Sequence, residues 1–332
     1  MPIHFRKLLL FACLLATVVF SSCSTGDKAA SSSAAPKRQK IIVLYPGPLG
    51  LYEDIIASFK EGLAQELPGK SIDVIPRHAG NDKTQFATLV STAVNDKPDI
   101  IAPIGTKLSQ EAVKNAQHVA TLFLGVTDPL GDGVVKSLTT PETATGVSDL
   151  VPLAKLLALI RQVTPSVKKI GVPYTADDPP AKFSVRQLQK IGPEGGFVID
   201  ARPVTSQDEM DSIVRELARV NDAILVGADT GLFPAADRIA KIARQARKPF
   251  FAGDPDGVKA GAALGVTIDY RDVGRAGAPL AVRILKGEKP GAIPVTLLTE
   301  GVVMINQTSL DQLRIRLNDD VLKQVKPENI FK

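Results

Sequence analysis

The stretch VKKIGVPYTADDPPAKFSVRQLQKIGPEGGFVID, residues 167–200, contains the pattern of one strand–helix–strand unit. The apolar run at residues 170–174 predicts a strand, and Val185, Leu188 and Ile191 then recur at helical spacing. The glycine-rich segment GPEGG ends this helix, and the apolar residues that follow begin a second strand. The stretch therefore predicts a βαβ unit with parallel strands.

The same pattern occurs about 130 residues earlier in the chain. There IIVLY, residues 41–45, is followed by the turn PGPLG, an amphipathic segment around residues 55–63 and the strand pattern SIDVI. Further apolar runs at residues 99–105 and 120–124 extend the first unit, and DAILVGA and FFAGD extend the second. A chain that begins a parallel sheet twice is predicted to be α/β, with two doubly wound parallel-sheet lobes that face each other across a cleft.

Two segments near the end of the chain are predicted to form elements other than βαβ units. The sequence PVTLLTEGVVMIN, residues 294–306, predicts an edge hairpin or strand pair. The sequence LDQLRIRLNDDVLKQV, residues 310–325, predicts a polar helix on the outside of the protein. At residues 206–209, Ser206 and the acids that follow it predict a capped helix start.

The first 22 residues have the pattern of an export signal. Arg6 and Lys7 precede an apolar run of about 13 residues, which is too short for a stable membrane span. Small residues then precede Cys23, which resembles the lipidation site of bacterial lipoproteins, although Phe20 stands where that signal usually has Leu. An ordinary cleaved signal with an incidental cysteine is the alternative. We predict a signal peptide at residues 1–22, lipidation of Cys23 and a disordered tether at residues 23–39, because this segment is small and polar.

Composition limits the classes of partner. The chain has 40 Lys and Arg against 35 Asp and Glu, and removal of the signal peptide leaves a nearly neutral protein. Basic residues recur at helical spacing, as in Arg215 and Arg219, and this is typical of solvated helix faces. We therefore expect no nucleic-acid partner. Of the two cysteines, Cys13 leaves with the signal and Cys23 would be acylated, so no disulfide is expected.

The expected cleft lies at the carboxyl ends of the strands, where helix N-termini and free backbone N–H groups converge. The side chains at these ends are short and polar, with several carboxylates and a few aromatics. A carboxylate there could pair with an ammonium group, and threonine or backbone N–H groups could hold a carboxylate. Asp and Thr at strand ends are also common as helix caps and turn formers, so each position has a structural alternative.

The sequence carries no recognisable catalytic constellation. Neither histidine of the mature chain stands near a nucleophile elbow, and no phosphate-binding loop is present. The acid pairs Asp177–Asp178 and Asp254–Asp256 could in principle serve a glycosidase or a cation, but they lie in proline-containing turns that are typical of solvated acids. We expect no enzyme activity, no catalytic residue, no metal and no cofactor.

Several motifs resemble one known family. VTDPLGDGVVKSLTTPETATGVSD, residues 126–149, closely resembles a segment of the ABC-transporter substrate-binding proteins that include tryptophan- and tyrosine-binding lipoproteins. The similarity continues in order through KKIGVPY, DAILVGADT, KPFFAGDPDGVKAG and MINQTSLDQL, and extends from residue 41 to residue 313. It implies a type I periplasmic-binding-protein fold, with two lobes joined by a three-segment hinge. On this basis we expect lobe 1 to comprise residues 40–147 and 254–293, and lobe 2 to comprise residues 148–253 and 294–332.

The resemblance also implies which residues contact a ligand. It places Thr106 where the first lobe contacts the ligand's main-chain group, and Asp254 near the hinge. It also places five further residues at the cleft: Asp128, Asp149, Ser184, Asp229 and Thr230. Together with the strand-end positions, the expected ligand-binding set is Tyr45, Thr106, Thr127, Asp128, Asp149, Ser184, Asp229, Thr230 and Asp254. The chain departs from the family pattern at Phe183 and Thr230, each in place of Asn, so the solute of the better-known members does not transfer directly.

The expected function is that of a lipid-anchored solute-binding protein of an ABC importer. It would act on the extracytoplasmic side of a bacterial envelope as a monomer, close on a small polar solute, and deliver this solute to a permease. An amino acid with an aromatic or branched side chain is the first expectation for the solute. The alternative is a receptor module that uses the same closure to signal to a membrane partner without transport.

Overall fold

The computed structural model describes residues 38–332. The expected signal peptide, Cys23 and all but the last two residues of the tether lie outside this range. Among residues 38–332, no helix has the length and apolar character of a membrane span.

The described chain alternates strands and helices. The strands are β1 Gln39–Tyr45, β2 Ile72–His78, β3 Ile100–Pro103, β4 Ala120–Leu124, β5 Ala144–Asp149, β6 Lys169–Thr175, β7 Val198–Val204, β8 Ala223–Val226, β9 Phe250–Ala252, β10 Leu264–Thr267, β11 Thr296–Leu298, β12 Val302–Asn306 and β13 Val325–Phe331. The helices are α1 Gly50–Glu66, α2 Phe86–Asn95, α3 Thr106–Asn115, α4 Leu153–Val163, α5 Pro179–Ile191, α6 Gln207–Val220, α7 Ala236–Gln245, α8 Pro255–Ala260, α9 Tyr270–Leu285, α10 Gln307–Leu313 and α11 Asp319–Leu322.

Lobe 1 is built on a parallel sheet of six strands in the order β11-β5-β4-β3-β1-β2. Successive residues of β1 point to opposite faces, so Ile41 and Val43 pack against α1 and α9, whereas Ile42 and Leu44 pack against α2 and α3. Burial on both faces explains why the strand reads as a continuous apolar run.

Lobe 2 is built on a sheet of seven strands in the order β13-β12-β10-β9-β8-β6-β7. Its strands are parallel except at the pair β10–β12, which is antiparallel. One face packs against α4 and α5, and the other packs against α6, α7 and α8. The βαβ unit predicted at residues 167–200 is β6–α5–β7, and the α/β architecture with two doubly wound lobes is confirmed.

The chain crosses between the two sheets three times. The crossings lie at residues 150–152, between β5 and α4, at residues 268–269, between β10 and α9, and at residues 299–301, between β11 and β12. The second crossing differs from the expected lobe boundary at residue 254, because α8 and β10 pack in lobe 2 and only α9 returns to lobe 1. The other two crossings lie a few residues C-terminal to the expected boundaries, which are at residues 147–148 and 293–294.

Two segment predictions were wrong. The segment at residues 294–306 forms no hairpin, because β11 joins the lobe 1 sheet and β12 joins the lobe 2 sheet. Gly301 lies between them against Pro152 and Val266, where a Cβ atom would clash with both side chains. The expected polar helix at the end of the chain is replaced by α10, α11 and the strand β13. The predicted cap at Ser206 is confirmed, as part of a capping box with Glu209.

Candidate functional site

The carboxyl ends of both sheets border a cleft of about 520 Å³. Lobe 1 lines it with the loop after β1 and with the starts of α1 and α3, including Pro46, Tyr52 and Lys107. Lobe 2 lines it with the loops after β6, β7 and β8. This is the edge of the sheets at which ligands bind in doubly wound proteins, and the volume is within the range of small-molecule sites.

A second, smaller cavity of about 30 Å³ lies beneath the cleft. The two spaces share lining residues from both lobes, namely Tyr52, Ile104, Gly105, Thr106, Pro180 and Thr230. We call the larger space the outer cleft and the smaller one the inner cavity. The inner cavity is large enough to admit a small group such as a water molecule.

Thr106 lies at the junction of the two spaces. Gly105 has a φ of 84° and turns the chain from β3 into α3, so that Thr106 becomes the first residue of the helix. Thr106 is only 2% exposed, and its Oγ1 has no hydrogen-bond partner among the described residues. A buried hydroxyl without a partner costs free energy, so this atom is available to a ligand.

Asp149 ends β5 and contributes a carboxylate to the inner cavity. Its Oδ1 accepts a hydrogen bond of 3.1 Å from Oγ1 of Thr127, which also lines the cavity. Burial raises the pKa of Asp149 to about 7, and the hydrogen bond from Thr127 opposes this shift.

Asp229 follows β8 and lines the inner cavity from lobe 2. Its carboxylate accepts hydrogen bonds from the Thr175 backbone N–H at 2.7 Å, the Thr175 hydroxyl at 2.7 Å, and the Gly231 and Leu232 N–H groups at 3.0 Å. Burial and the nearby charge of Asp178 raise its pKa to about 6. These contacts fix the carboxylate in position without neutralising its charge.

Asp178 precedes α5 and is 1% exposed, although its neighbour Asp177 is open to solvent. Its carboxylate accepts hydrogen bonds from the hydroxyl and the backbone N–H of Thr230. Burial raises the pKa of Asp178, and the charges of Lys107 and Lys83 partly oppose this shift.

Three buried carboxylates therefore surround the base of the cleft. Within residues 38–332, none of Asp149, Asp178 and Asp229 forms a salt bridge. The same range contains no group of three or more His, Cys, Asp or Glu side chains arranged to hold a metal ion. Burial of carboxylates without a counter-charge is costly, so this part of the site favours a cationic group from outside the chain.

Two tyrosines complete the walls of the inner cavity. Burial raises the pKa of both Tyr52 and Tyr270 well above the ordinary range, with smaller contributions from nearby acids such as Asp149. Both hydroxyls therefore stay protonated and uncharged at neutral pH. Phe233 of lobe 2 adds a third aromatic ring.

The mouth of the outer cleft carries a cross-lobe ion cluster. Lys107 and Lys83 of lobe 1 both contact the carboxylate of Asp177 in lobe 2, with N–O distances of 2.6 and 3.2 Å. Hydrogen bonding from Lys107 lowers the pKa of Asp177, and the charges of the two lysines add to this effect.

The structure thus brings together five of the nine residues expected to bind a ligand: Thr106, Thr127, Asp149, Asp229 and Thr230. The other four lie outside the lining of both spaces. The ring of Tyr45 is tilted against that of Tyr52 and meets the ring of His78 edge to face. Ser184 is buried, where its hydroxyl accepts a hydrogen bond from the Ala228 N–H at 3.1 Å.

The remaining two residues cap turns. Asp128 accepts a hydrogen bond from the Gly131 N–H at 2.8 Å, and Asp254 accepts one from the Gly257 N–H at 2.7 Å as the N-cap of α8. Burial raises the pKa of Asp254 to about 7. For both residues the structural alternative describes the geometry better than the expected ligand contact.

Sequence reasoning missed Asp178, Lys107 and Tyr270 as parts of the site. The sequence predicted that Asp178 and Asp177 both lie in a solvated turn. Only the tertiary packing of α5 buries Asp178 and leaves Asp177 exposed. A signal was present, because Pro179 and Pro180 directly follow Asp178 and indicate a helix start rather than an open loop.

A comparison with protein-family models establishes the family. Residues 50–328 match the model described as ABC transporter substrate binding protein. The chain therefore belongs to this family of solute-binding proteins, as the motifs had indicated. A relative named as a tyrosine-binding protein, from Clostridioides difficile, is 27% identical over an alignment of 332 residues that covers 96% of this chain and 95% of the relative.

Solved structures show the same architecture. A protein from Streptococcus pneumoniae in complex with L-Trp is 27% identical, with a TM-score of 0.83 over 87% of this chain and 98% of its own. A substrate-binding protein from Clostridium difficile with adhesive properties, in a ligand-free open structure, is 26% identical, with a TM-score of 0.69 over 88% of this chain and 98% of its own. At nearly equal identity, the chain superposes more closely on the L-Trp complex than on the ligand-free open structure.

Proposed function

We propose that this protein captures a small solute with a primary ammonium group, in the first instance an L-amino acid, between its two lobes. The protein would be held on the extracytoplasmic side of the envelope through lipidated Cys23 and would deliver the solute to the permease of an ABC importer. The family, the tyrosine-binding relative and the L-Trp complex support the solute class. The signal-like N-terminal sequence supports the location.

The observation that carries the proposal is the set of three buried carboxylates at the base of the cleft. Asp149 and Asp229 line the inner cavity from opposite lobes, and Asp178 lines the adjoining cleft. The inner cavity has room for a small group the size of an ammonium. An ammonium there would supply the missing counter-charge, and the rings of Tyr52 and Tyr270 would add cation–π attraction.

The rest of the solute would occupy the outer cleft. Its volume of about 520 Å³ accommodates an amino-acid side chain, and the unpartnered Thr106 hydroxyl lies where the two spaces meet. Because the two lobes supply different parts of the site, a bound solute stabilises the closed arrangement over the open one. A permease that recognises the closed arrangement would then receive loaded protein in preference to empty protein.

The test is a thermal-shift and calorimetric screen with L-amino acids and with the same compounds lacking the amino group. A ligand at a hundred times its dissociation constant should raise the free energy of unfolding by about 2.7 kcal/mol. We expect one or more amino acids to bind and their deaminated analogues to fail. Asp149→Asn should abolish this discrimination, whereas Asp222→Asn, which changes an acid outside the lining, should retain it. Equal binding of an amino acid and its deaminated analogue would contradict the ammonium site.

A further inference from the structure

A third cavity, of about 290 Å³, lies in lobe 2 between α7 and α10. Phe250 at the start of β9 forms part of its floor. The interlobe site is at the carboxyl ends of the strands, so this cavity is at the opposite edge of the lobe 2 sheet. It is therefore separate from the solute site, and nothing in the proposed transport function uses it.

All charged residues that line this cavity are basic. Four of its eleven lining residues are Arg244, Arg247, Lys248 and Arg314, and none of the eleven is Asp or Glu. Within the part of the chain that the structure describes, none of the four forms a salt bridge. A concave surface with cations on low-dielectric walls concentrates anions.

Asp222 interacts electrostatically with Lys248 of the cluster. The pKa of Asp222 is lowered by hydrogen bonds from the Lys169 and Lys168 backbone N–H groups, with a smaller contribution from the charge of Lys248. The carboxylate of Asp222 is thus already held by two backbone donors, at 2.8 and 2.9 Å.

Two arginines of the cluster have left-handed backbone conformations. Arg247 and Arg314 follow the ends of α7 and α10 with φ angles of 54° and 55°. Glycine commonly occupies such left-handed positions after a helix, because other residues adopt them at a cost. Two arginines take these positions here and place their side chains beside the same cavity. Favourable interaction with the helix C-termini accounts for one basic residue at each end, but not for four around one cavity.

The floor of the cavity is apolar. Ala240, Ala243 and Phe250 are buried beneath the cationic rim, and Leu313 is half-buried at its side. Guanidinium groups match the oxygens of phosphate bidentately, and a phosphate dianion balances more of this charge than a single carboxylate does. We propose that this cavity is a second binding site, for a small phosphate-bearing anion.

Phosphate of this kind could come from a free phosphate ester or from a phospholipid headgroup. The test is calorimetric titration of the full-length protein in a neutral detergent, at fixed ionic strength, with three probes: inorganic phosphate, glycerol 3-phosphate and dihexanoyl-phosphatidylglycerol. Saturable binding of either of the first two supports a free phosphate compound. Binding of the third alone supports a lipid headgroup.

The variant Arg244→Gln/Arg314→Gln should weaken the binding of the active probe at least tenfold. The matched control Arg219→Gln/Arg316→Gln removes two exposed arginines outside the lining and should leave binding unchanged. Both double variants should keep the melting temperature of the parent and its affinity for the cleft solute. Absence of saturable binding for all three probes, or an equal loss in both double variants, would overturn the proposal.

Discussion

Lys107 of lobe 1 donates a hydrogen bond to Asp177 of lobe 2, and the Nζ–Oδ2 distance is 2.6 Å. Lys83 contacts the other oxygen of the same carboxylate at 3.2 Å. Away from the three crossing segments, the side-chain ion pairs between the lobes within residues 38–332 converge on this one carboxylate. The cluster therefore links the lobes across the mouth of the cleft, independently of any solute.

Asp177→Asn should shift the protein toward the open arrangement and weaken solute binding. The Asp177 side chain is 65% exposed, so each pair contributes little, and the expected loss of affinity at low salt is about two- to fivefold. The loss should disappear near 1 M salt, where the Debye length is about 3 Å. The measurements are calorimetric affinity at two salt concentrations and the radius of gyration of the empty protein by X-ray scattering.

Asp320→Asn is the control for the Asp177 prediction. It breaks the exposed pair Lys323–Asp320, which lies within α11 and its C-cap in lobe 2 alone. It should change neither affinity nor radius of gyration. If Asp177→Asn also leaves both unchanged at low salt, the ion cluster does not contribute to closure.

The architecture could be predicted because its strands are buried on both faces. Ile41 and Val43 pack to one side of β1, and Ile42 and Leu44 to the other, so the strand appears as an unbroken apolar run. The pairing partners of the two strands in residues 294–306 could not be predicted in this way. Two short apolar runs separated by a turn have the same pattern whether they pair with each other or with two different sheets. Tertiary contacts at Gly301 decide the outcome.

The candidate site could be predicted in part for a similar reason. Strand order places the carboxyl ends of the strands at one edge, and five of the nine expected residues lie there. Local sequence does not show whether an acid faces the cleft or closes its own turn. Asp128 and Asp149 both stand at such ends, yet the first binds Gly131 and the second lines the inner cavity.

Asp128→Ala should lower stability without altering solute affinity. The change removes the hydrogen bond to the Gly131 N–H, which is worth about 1 kcal/mol. The measurements are chemical denaturation and calorimetric titration with the solute that the screen identifies. Asp229→Asn is the comparison, because Asp229 lines the inner cavity and its replacement should weaken binding about tenfold or more. Loss of solute binding in Asp128→Ala would contradict this prediction and would show that Asp128 belongs to the solute site.

The stability of the empty protein should fall as pH rises from 5 to 8. Burial raises the pKa of Asp149 and Asp254 to about 7 in the folded protein, above the ordinary aspartate value of 3.8. The folded state therefore binds more protons than the unfolded state between these values, and its stabilisation is lost as pH rises through 7. Denaturation of the ligand-free protein at a series of pH values measures this slope.

Asp149→Asn should flatten the slope between pH 5 and pH 8, because it removes one of the groups that titrate there. Asp222→Asn is the matched control. Backbone hydrogen bonds from Lys169 and Lys168 lower the pKa of Asp222, so this group titrates below the window and its removal should leave the slope unchanged. A slope that is the same in the parent and in Asp149→Asn would mean that Asp149 is ionised throughout.

Thr106→Val should weaken solute binding while preserving or slightly raising the stability of the empty protein. The substitution keeps the shape of the side chain and removes a hydroxyl that is buried without a partner among the described residues. An unsatisfied buried polar atom costs about 1–3 kcal/mol, so its removal does not destabilise the fold. In the loaded protein the same hydroxyl would bind the solute, and its loss should reduce affinity about fivefold or more.

Thr164→Val tests whether any such change at a buried threonine has the same effect. The Thr164 hydroxyl donates to the Ile160 carbonyl at 2.8 Å at the end of α4, outside the lining of the cleft and the inner cavity. This variant should leave affinity unchanged and should not gain stability, because it removes a hydrogen bond that is made. Opposite signs of the stability change in the two variants, with an affinity loss confined to Thr106→Val, would identify the Thr106 hydroxyl as a group reserved for the solute. A loss of stability in Thr106→Val without a loss of affinity would instead mean that the Thr106 hydroxyl stabilises the fold and does not bind the solute.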